Sequence, residues 1–178
     1  MGFVMMEERV VTLKDDRKVR LRLATADDKE RLFVMFSTMS ESALRWGMPP
    51  YTRERIERWF ASPQDMIALT ALDGDPVVGW SSIYKQPHPR RKGIGDLGIY
   101  LHQDFHGVGL GTIMTKQILA LAEKQGMHRI SLEVVEDNKV AVQLYKKAGF
   151  RIDGELKDAY FGADGRYHDS LIMGKILH

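Results

Sequence analysis

Three glycines at alternate positions, Gly107, Gly109 and Gly111, stand between an apolar run at Ile94–Leu101 and a helical repeat that starts at Leu110. Leu110, Ile113, Met114, Ile118, Leu121 and Ala122 fall on one face at a 3.6-residue period, so the segment reads strand, glycine turn, amphipathic helix. A glycine reaches positive φ without steric cost and brings no Cβ between the backbone and a ligand. The head of a helix carries unpaired N–H groups and partial positive charge, so such a turn suits a diphosphate. Tight packing of a helix start against a sheet would favour the same glycines. No Gly-Lys-Ser/Thr follows the turn, and no acidic residue stands where a second dinucleotide-binding strand would place one. Phosphate-loop hydrolysis and hydride transfer therefore find no support.

Around this segment the chain alternates short elements. Val10–Leu13 and Val19–Leu23 read as strands of an N-terminal hairpin at about 10–23, turned by Lys14-Asp15-Asp16-Arg17. Thr25 is placed to cap a helix reaching about Met39, and Thr52 a second helix that stops before Pro63. Between them Gly47 and Pro49-Pro50 break the pattern. Met66–Leu72 and Val77–Tyr84 form a second hairpin across Asp73-Gly74-Asp75-Pro76, and Gln86–Gly93 is an exposed basic loop. Ile130–Val135 is a strand, Asn138 caps a helix carrying Ala141, Leu144, Tyr145 and Ala148, and Gly149 ends it. Two closing strands lie in 151–156 and 170–177, and no repeat or linker divides the chain.

Composition narrows the function classes. At 178 residues, with 44% hydrophobic and 28% charged residues, a single globular domain over 1–178 is expected. Lys and Arg total 26 against 24 Asp and Glu, a net charge of +2 that gives no reason to expect nucleic-acid binding. The absence of cysteine excludes disulfides, thiolate metal sites and a thiol nucleophile. The six histidines show no metal-ligand spacing, so no metal is expected. No apolar run reaches membrane-spanning length and Glu7, Glu8 and Arg9 follow the start closely, so the expected location is the cytoplasm, with no membrane partner.

The stretch His106-Gly107-Val108-Gly109-Leu110-Gly111 resembles the Arg/Gln-x-x-Gly-x-Gly/Ala signature of the GNAT superfamily of N-acetyltransferases, with His106 in place of the usual first residue. Leu132-Glu133-Val134, Asn138, Ala141, Leu144-Tyr145 and Gly149-Phe150 resemble the same family's later strand, capped helix and closing Gly-Phe. The resemblance implies an α+β fold: a single GNAT domain with a central, mixed but mostly antiparallel sheet of about seven strands, splayed at the coenzyme site and flanked by about four helices. It implies acetyl-CoA as cosubstrate, an amine acceptor that is a protein lysine, an N-terminal amine or a small molecule, and direct attack in a ternary complex. Backbone at Ile99, Tyr100 and Leu101 is then expected to pair with the pantetheine arm. His106, Gly107, Val108, Gly109, Leu110, Gly111 and Thr112 are expected to hold the diphosphate, with Asn138 capping its helix and touching the coenzyme. Tyr145 takes the part of general acid, its alternative being a core tyrosine. Glu133 takes that of general base, its alternative being an exposed strand carboxylate, with Asp96 and Tyr100 as rivals. A homodimer and a non-catalytic acyl-CoA sensor with the same fold stay open.

Overall fold

The computed structural model describes residues 6–178. The N-terminal hairpin pairs β1 (Arg9–Thr12) with β2 (Lys18–Leu23), and β3 (Met66–Leu72) with β4 (Val77–Lys85) forms the second hairpin. Helices α1 (Asp28–Thr38), α2 (Glu41–Leu44) and α3 (Arg53–Trp59) lie between the hairpins in sequence. The remaining elements are β5 (Ile94–Leu101), α4 (Leu110–Lys124), β6 (Arg129–Val135), α5 (Lys139–Lys147), β7 (Arg151–Phe161) and β8 (Tyr167–Ile176). They build one eight-stranded sheet in the order β1-β2-β3-β4-β5-β6-β8-β7, antiparallel throughout except where β5 meets β6. The fold is the expected α+β sheet with one strand more than seven; β7 and β8 run longer than the sequence patterning suggests.

Every residue of β3 is buried, because helices cover both faces of the sheet centre. On one face Leu69, Ala71 and Leu97 pack with Leu110, Met114 and Ile118 of α4 and Val142 and Tyr145 of α5. On the other, Ala68, Leu72 and Trp80 pack with Leu32, Phe36 and Ile56 of α1 and α3. No helix among the described residues is long and apolar enough to cross a membrane.

Two local expectations change. Helix α1 starts at Asp28 rather than under a Thr25 cap: the buried Asp28 carboxylate accepts the Thr25 N–H at 2.9 Å and two bonds from Arg22 at 2.7 and 2.6 Å. The acid fixes the strand-to-helix corner by an ion pair, which the helix-cap pattern did not anticipate. The stretch after α1 is not wholly irregular, because the Ser40 hydroxyl accepts the Ala43 N–H at 3.1 Å and caps the short α2.

Asp28 is fully buried, and its hydrogen bond raises the Arg22 guanidinium above its ordinary value. Asp28→Ala leaves that cation without its carboxylate, with only the Leu23 carbonyl to bond, and the Thr25 amide without an acceptor, and should cost about 3 kcal/mol in urea unfolding. The paired Arg22→Met, Asp28→Leu variant should recover most of the loss.

Candidate functional site

Strands β5 and β6 run parallel in register only at Ile94–Arg129, Gly95–Ile130 and Asp96–Ser131, then part. Beyond that point their facing backbones have no ladder partner. The His102 N–H donates to the Val78 carbonyl, and in an unbroken antiparallel register this assigns the even residues of β5 to β4. Ile99 consequently turns both its N–H and C=O into the gap, joined by the C=O of Leu97 and the N–H of Leu101. Tyr100 pairs its backbone with Trp80, so of the three residues expected to line the gap with free backbone, Ile99 does so with both groups, Leu101 with its N–H alone, and Tyr100 does not. The same alternation, set by Glu136 N–H on Asp169 O, turns the backbone of Glu133 and the N–H of Val135 toward the gap from β6, the Val135 carbonyl accepting the Asn138 N–H.

At the end of β5 the glycine turn takes the expected form. Gly107 and Gly109 have φ of 74° and 91°, and Gly109 is the N-cap of α4. Among the described residues the amides of 107–112 donate to no acceptor, the first helical bond being Ile113 N–H to Gly109 O at 3.1 Å. A Cβ at Gly107 would meet nothing within 4 Å, so open space lies over the turn; at Gly111 it would sit 3.3 Å from Leu101 Cδ1. The ring N–H of His106 donates to the Leu101 carbonyl at 2.8 Å, tying turn to strand end. From behind, Lys14 N–H donates to Val108 O at 3.0 Å and Arg17 Nη2 to Asp104 O at 2.7 Å, with the Arg17 guanidinium 4.1 Å from the Phe105 ring centre. With its carbonyl held by the β1–β2 turn, the Val108–Gly109 peptide directs its N–H the opposite way.

Helix α5 follows β6 after a tight turn. Asn138 Oδ1 accepts the Ala141 N–H at 3.3 Å, the capping bond the sequence suggests. Tyr145 packs its ring against Phe150, centroids 5.8 Å apart, and is only 6% exposed. Its hydroxyl has no protein partner among the described residues and yet is not sealed from solvent. Burial drives the phenol well above its ordinary value, so it stays protonated. Glu133 is exposed on β6, on the face opposite Leu132 and Val134.

An aromatic wall stands on the other side of the gap, and periodicity gave no sign of it. The Tyr100 ring lies 5.4 Å from Tyr51 and 5.2 Å from Phe36. Burial raises its phenol, and the neighbouring Tyr51 phenol adds to the rise. Gly47 closes over this pair: a Cβ there would fall 2.8 Å from the Tyr51 hydroxyl. Arg55 bonds to the carbonyls of Met48 and Pro50 and has no carboxylate partner among the described residues. Its charge opposes the burial that lifts Tyr84 to about 12. These contacts join residues far apart in sequence, and the only local hint was the density of aromatic residues in 46–60. Elsewhere, Glu136, Glu155 and Asp169 approach one another within 4.8 Å, but Lys157 binds the latter two and Lys139 the first.

The glycine turn, the free amides and the parted strands match what an acyl-coenzyme A arm requires, and comparison with known proteins points the same way. An L-amino acid N-acetyltransferase of Escherichia coli is 32% identical over 109 residues, covering 61% of this chain and 66% of that enzyme's length. A GNAT-family acetyltransferase of Streptococcus pneumoniae superposes with a TM-score of 0.78 at 25% identity, covering 90% of this chain and 99% of that one. An acetyltransferase of Salmonella typhimurium, solved with acetyl-CoA as its cofactor, gives 0.78 at 17% identity, covering 90% and 94%, and so agrees in fold. The acetyltransferase (GNAT) domain model matches residues 18–151, most of the chain, and the chain belongs to the GNAT acetyltransferase family.

Proposed function

We propose that the protein transfers the acetyl group of acetyl-CoA to a primary amine by direct attack in a ternary complex. The observation that carries the proposal is the coincidence of two unpaired backbone surfaces, the β5–β6 gap and the amides of 107–112, at adjoining ends of one strand. Backbone groups of Ile99 and Leu101 would pair with the pantetheine amides, and those of 107–112 would take the diphosphate. When bound, the coenzyme supplies an activated acetyl thioester. Glu133, whose carboxylate is free in water, takes a proton from the incoming ammonium through a water, leaving a neutral nitrogen to form the new C–N bond. As the C–S bond breaks, the Tyr145 hydroxyl gives its proton to the departing sulfur and regains one from the newly acetylated nitrogen, which sheds its second proton as the amide forms.

The acceptor belongs on the side of the aromatic wall. Arg55, half-buried beside Tyr51 and free of any carboxylate among the described residues, favours an amine that itself carries a carboxylate, the chemistry of a free amino acid. The name of the E. coli relative supports the same class. A panel of L-amino acids, their methyl esters, polyamines and lysine peptides, read by thiol release, should show turnover with the free acids and little with the esters. Coenzyme binding without turnover of any amine would instead establish an acyl-CoA sensor.

Two substitutions separate binding from chemistry. Tyr145→Phe should lower kcat about 100-fold while leaving the coenzyme Kd at its wild-type value in calorimetry. Unchanged kcat would remove Tyr145 from the reaction. Gly109→Ala forces a Cβ into a left-handed backbone, and should weaken coenzyme binding about tenfold with kcat at saturation nearly unchanged.

A further inference from the structure

Behind the aromatic wall, His168 of β8 lies inside the fold with its side chain 5% exposed. Its Nδ1 is 2.8 Å from Asp137 Oδ2, in the turn before α5, and its Nε2 is 3.0 Å from Asp164 Oδ1, in the β7–β8 turn. A carboxylate on each ring nitrogen requires a proton on each, which makes the ring an imidazolium. Asp164 also carries Arg166 at 3.1 Å and Arg45 at 3.7 Å. The Trp46 ring meets the imidazole edge-on at 5.1 Å, and the Tyr160 ring lies 6.5 Å away. The Tyr160 hydroxyl in turn reaches the carbonyls of Arg45 and Gly47 at 2.9 and 2.8 Å. Gly162 makes the closure sterically feasible, since a Cβ there would lie 2.8 Å from Nε2 and 2.6 Å from Asp164 Oδ1.

A continuous chain of contacts therefore runs from His168 through Trp46 and Gly47 to Tyr51 and Tyr100 at the gap. We propose that His168, clasped between Asp137 and Asp164, is a positioning residue that holds the 45–51 segment against the acceptor side of the site and so sets acceptor binding. The proposal rests on the acetyl-transfer reading above and adds to it a residue that touches neither substrate. The hydrogen bonds that the ring donates to Asp164 and then Asp137 raise the imidazole above its ordinary value of 6.5, and accepting from His168 holds Asp164 below the usual carboxylate range. The sign follows from linkage: the raised histidine stabilises the clasp below its unfolded pKa and loses that contribution as pH climbs through the folded one. The lowered Asp164 contributes above the ordinary carboxylate pKa and is lost only in stronger acid. The clasp is therefore closed from mildly acidic pH to beyond 6.5 and opens on the alkaline side.

Hydrogen exchange by mass spectrometry tests the device without any acceptor. Protection factors of the 45–51 amides should fall in the wild type as pH rises through the His168 titration, followed by NMR of the ring, while those of α4 hold. In His168→Gln they should be roughly tenfold lower at neutral pH and no longer follow that titration. Trp46→Leu, which leaves both carboxylates on the ring, should loosen the same segment at every pH while His168 keeps its raised titration; it decides the matter should His168→Gln fail to fold. Steady-state kinetics with whichever panel amine is acetylated should show acceptor KM up roughly tenfold in His168→Gln, with coenzyme Kd and kcat near wild type. Equal protection in wild type and both variants, or a loosened segment with unchanged acceptor KM, overturns the proposal. Failure of every amine in the panel sinks the proposed function instead, and the exchange experiment still decides whether His168 governs the segment.

Discussion

Past the Asp96–Ser131 pair the β5–β6 ladder stops, and this interruption organises what surrounds it. A parallel pair that simply continued would satisfy its own backbone groups and leave no room for a ligand. Once the strands part, both backbone groups of Ile99 and Glu133, the C=O of Leu97 and the N–H groups of Leu101 and Val135 face open space, a costly arrangement unless water or a ligand bonds to them. The opening persists because each strand is held on its far edge: β5 by a full antiparallel register with β4, β6 by one with β8. Helices α4 and α5 then seat on one face with Leu110, Met114 and Tyr145 in the same apolar cluster, so the two helices that flank the gap cannot close it.

How the turn at 107–112 relates to this opening explains why its amides stay free. Its carbonyl side is occupied by the β1–β2 hairpin through Lys14 and Arg17, and its strand end by His106 on the Leu101 carbonyl. Those bonds fix the peptide planes without using a single N–H from 107 to 112. An anion arriving there finds donors already aimed, so little conformational entropy is lost on binding. The histidine that departs from the usual family signature thus acts on the protein's own backbone, and the departure leaves the amides untouched.

Local chemistry made much of this legible before any coordinates. Gly107, Gly109 and Gly111 could be read because positive φ and missing Cβ atoms are properties of single residues; Asn138 and the helix ends at Gly126 and Gly149 were legible for similar reasons. The corner at Asp28 was misread because its capping logic yields to an ion pair with Arg22, six residues away in sequence but on a different element. The acceptor side was scarcely legible at all. Tyr51, Tyr100, Trp46, Tyr160 and His168 come together through pairings between residues separated by as many as 115 positions and more, and no period in the sequence encodes that meeting. Backbone parity in β5 likewise depends on which neighbour takes the even residues, and the sequence did not show that the Tyr100 backbone pairs with β4 while that of Ile99 turns the other way.

Tyr145 raises the question whether a residue so well packed can take part in chemistry, and the physics favours one answer to both parts. Core packing on α5 demands an apolar ring, which the edge-on contact with Phe150 and the small residues Ala141 and Ala148 accommodate. The same burial disfavours the phenolate and holds the proton on the oxygen, which is the state a hydrogen-bond donor to a leaving sulfur must have. Were the ring exposed, the phenol would titrate nearer its solution value and its rotamer would wander. Were the hydroxyl fully buried, it would need a protein acceptor and could not serve a substrate. A sunken ring with an unengaged hydroxyl at the rim meets both demands, so the core role and the proposed catalytic role are compatible with one placement.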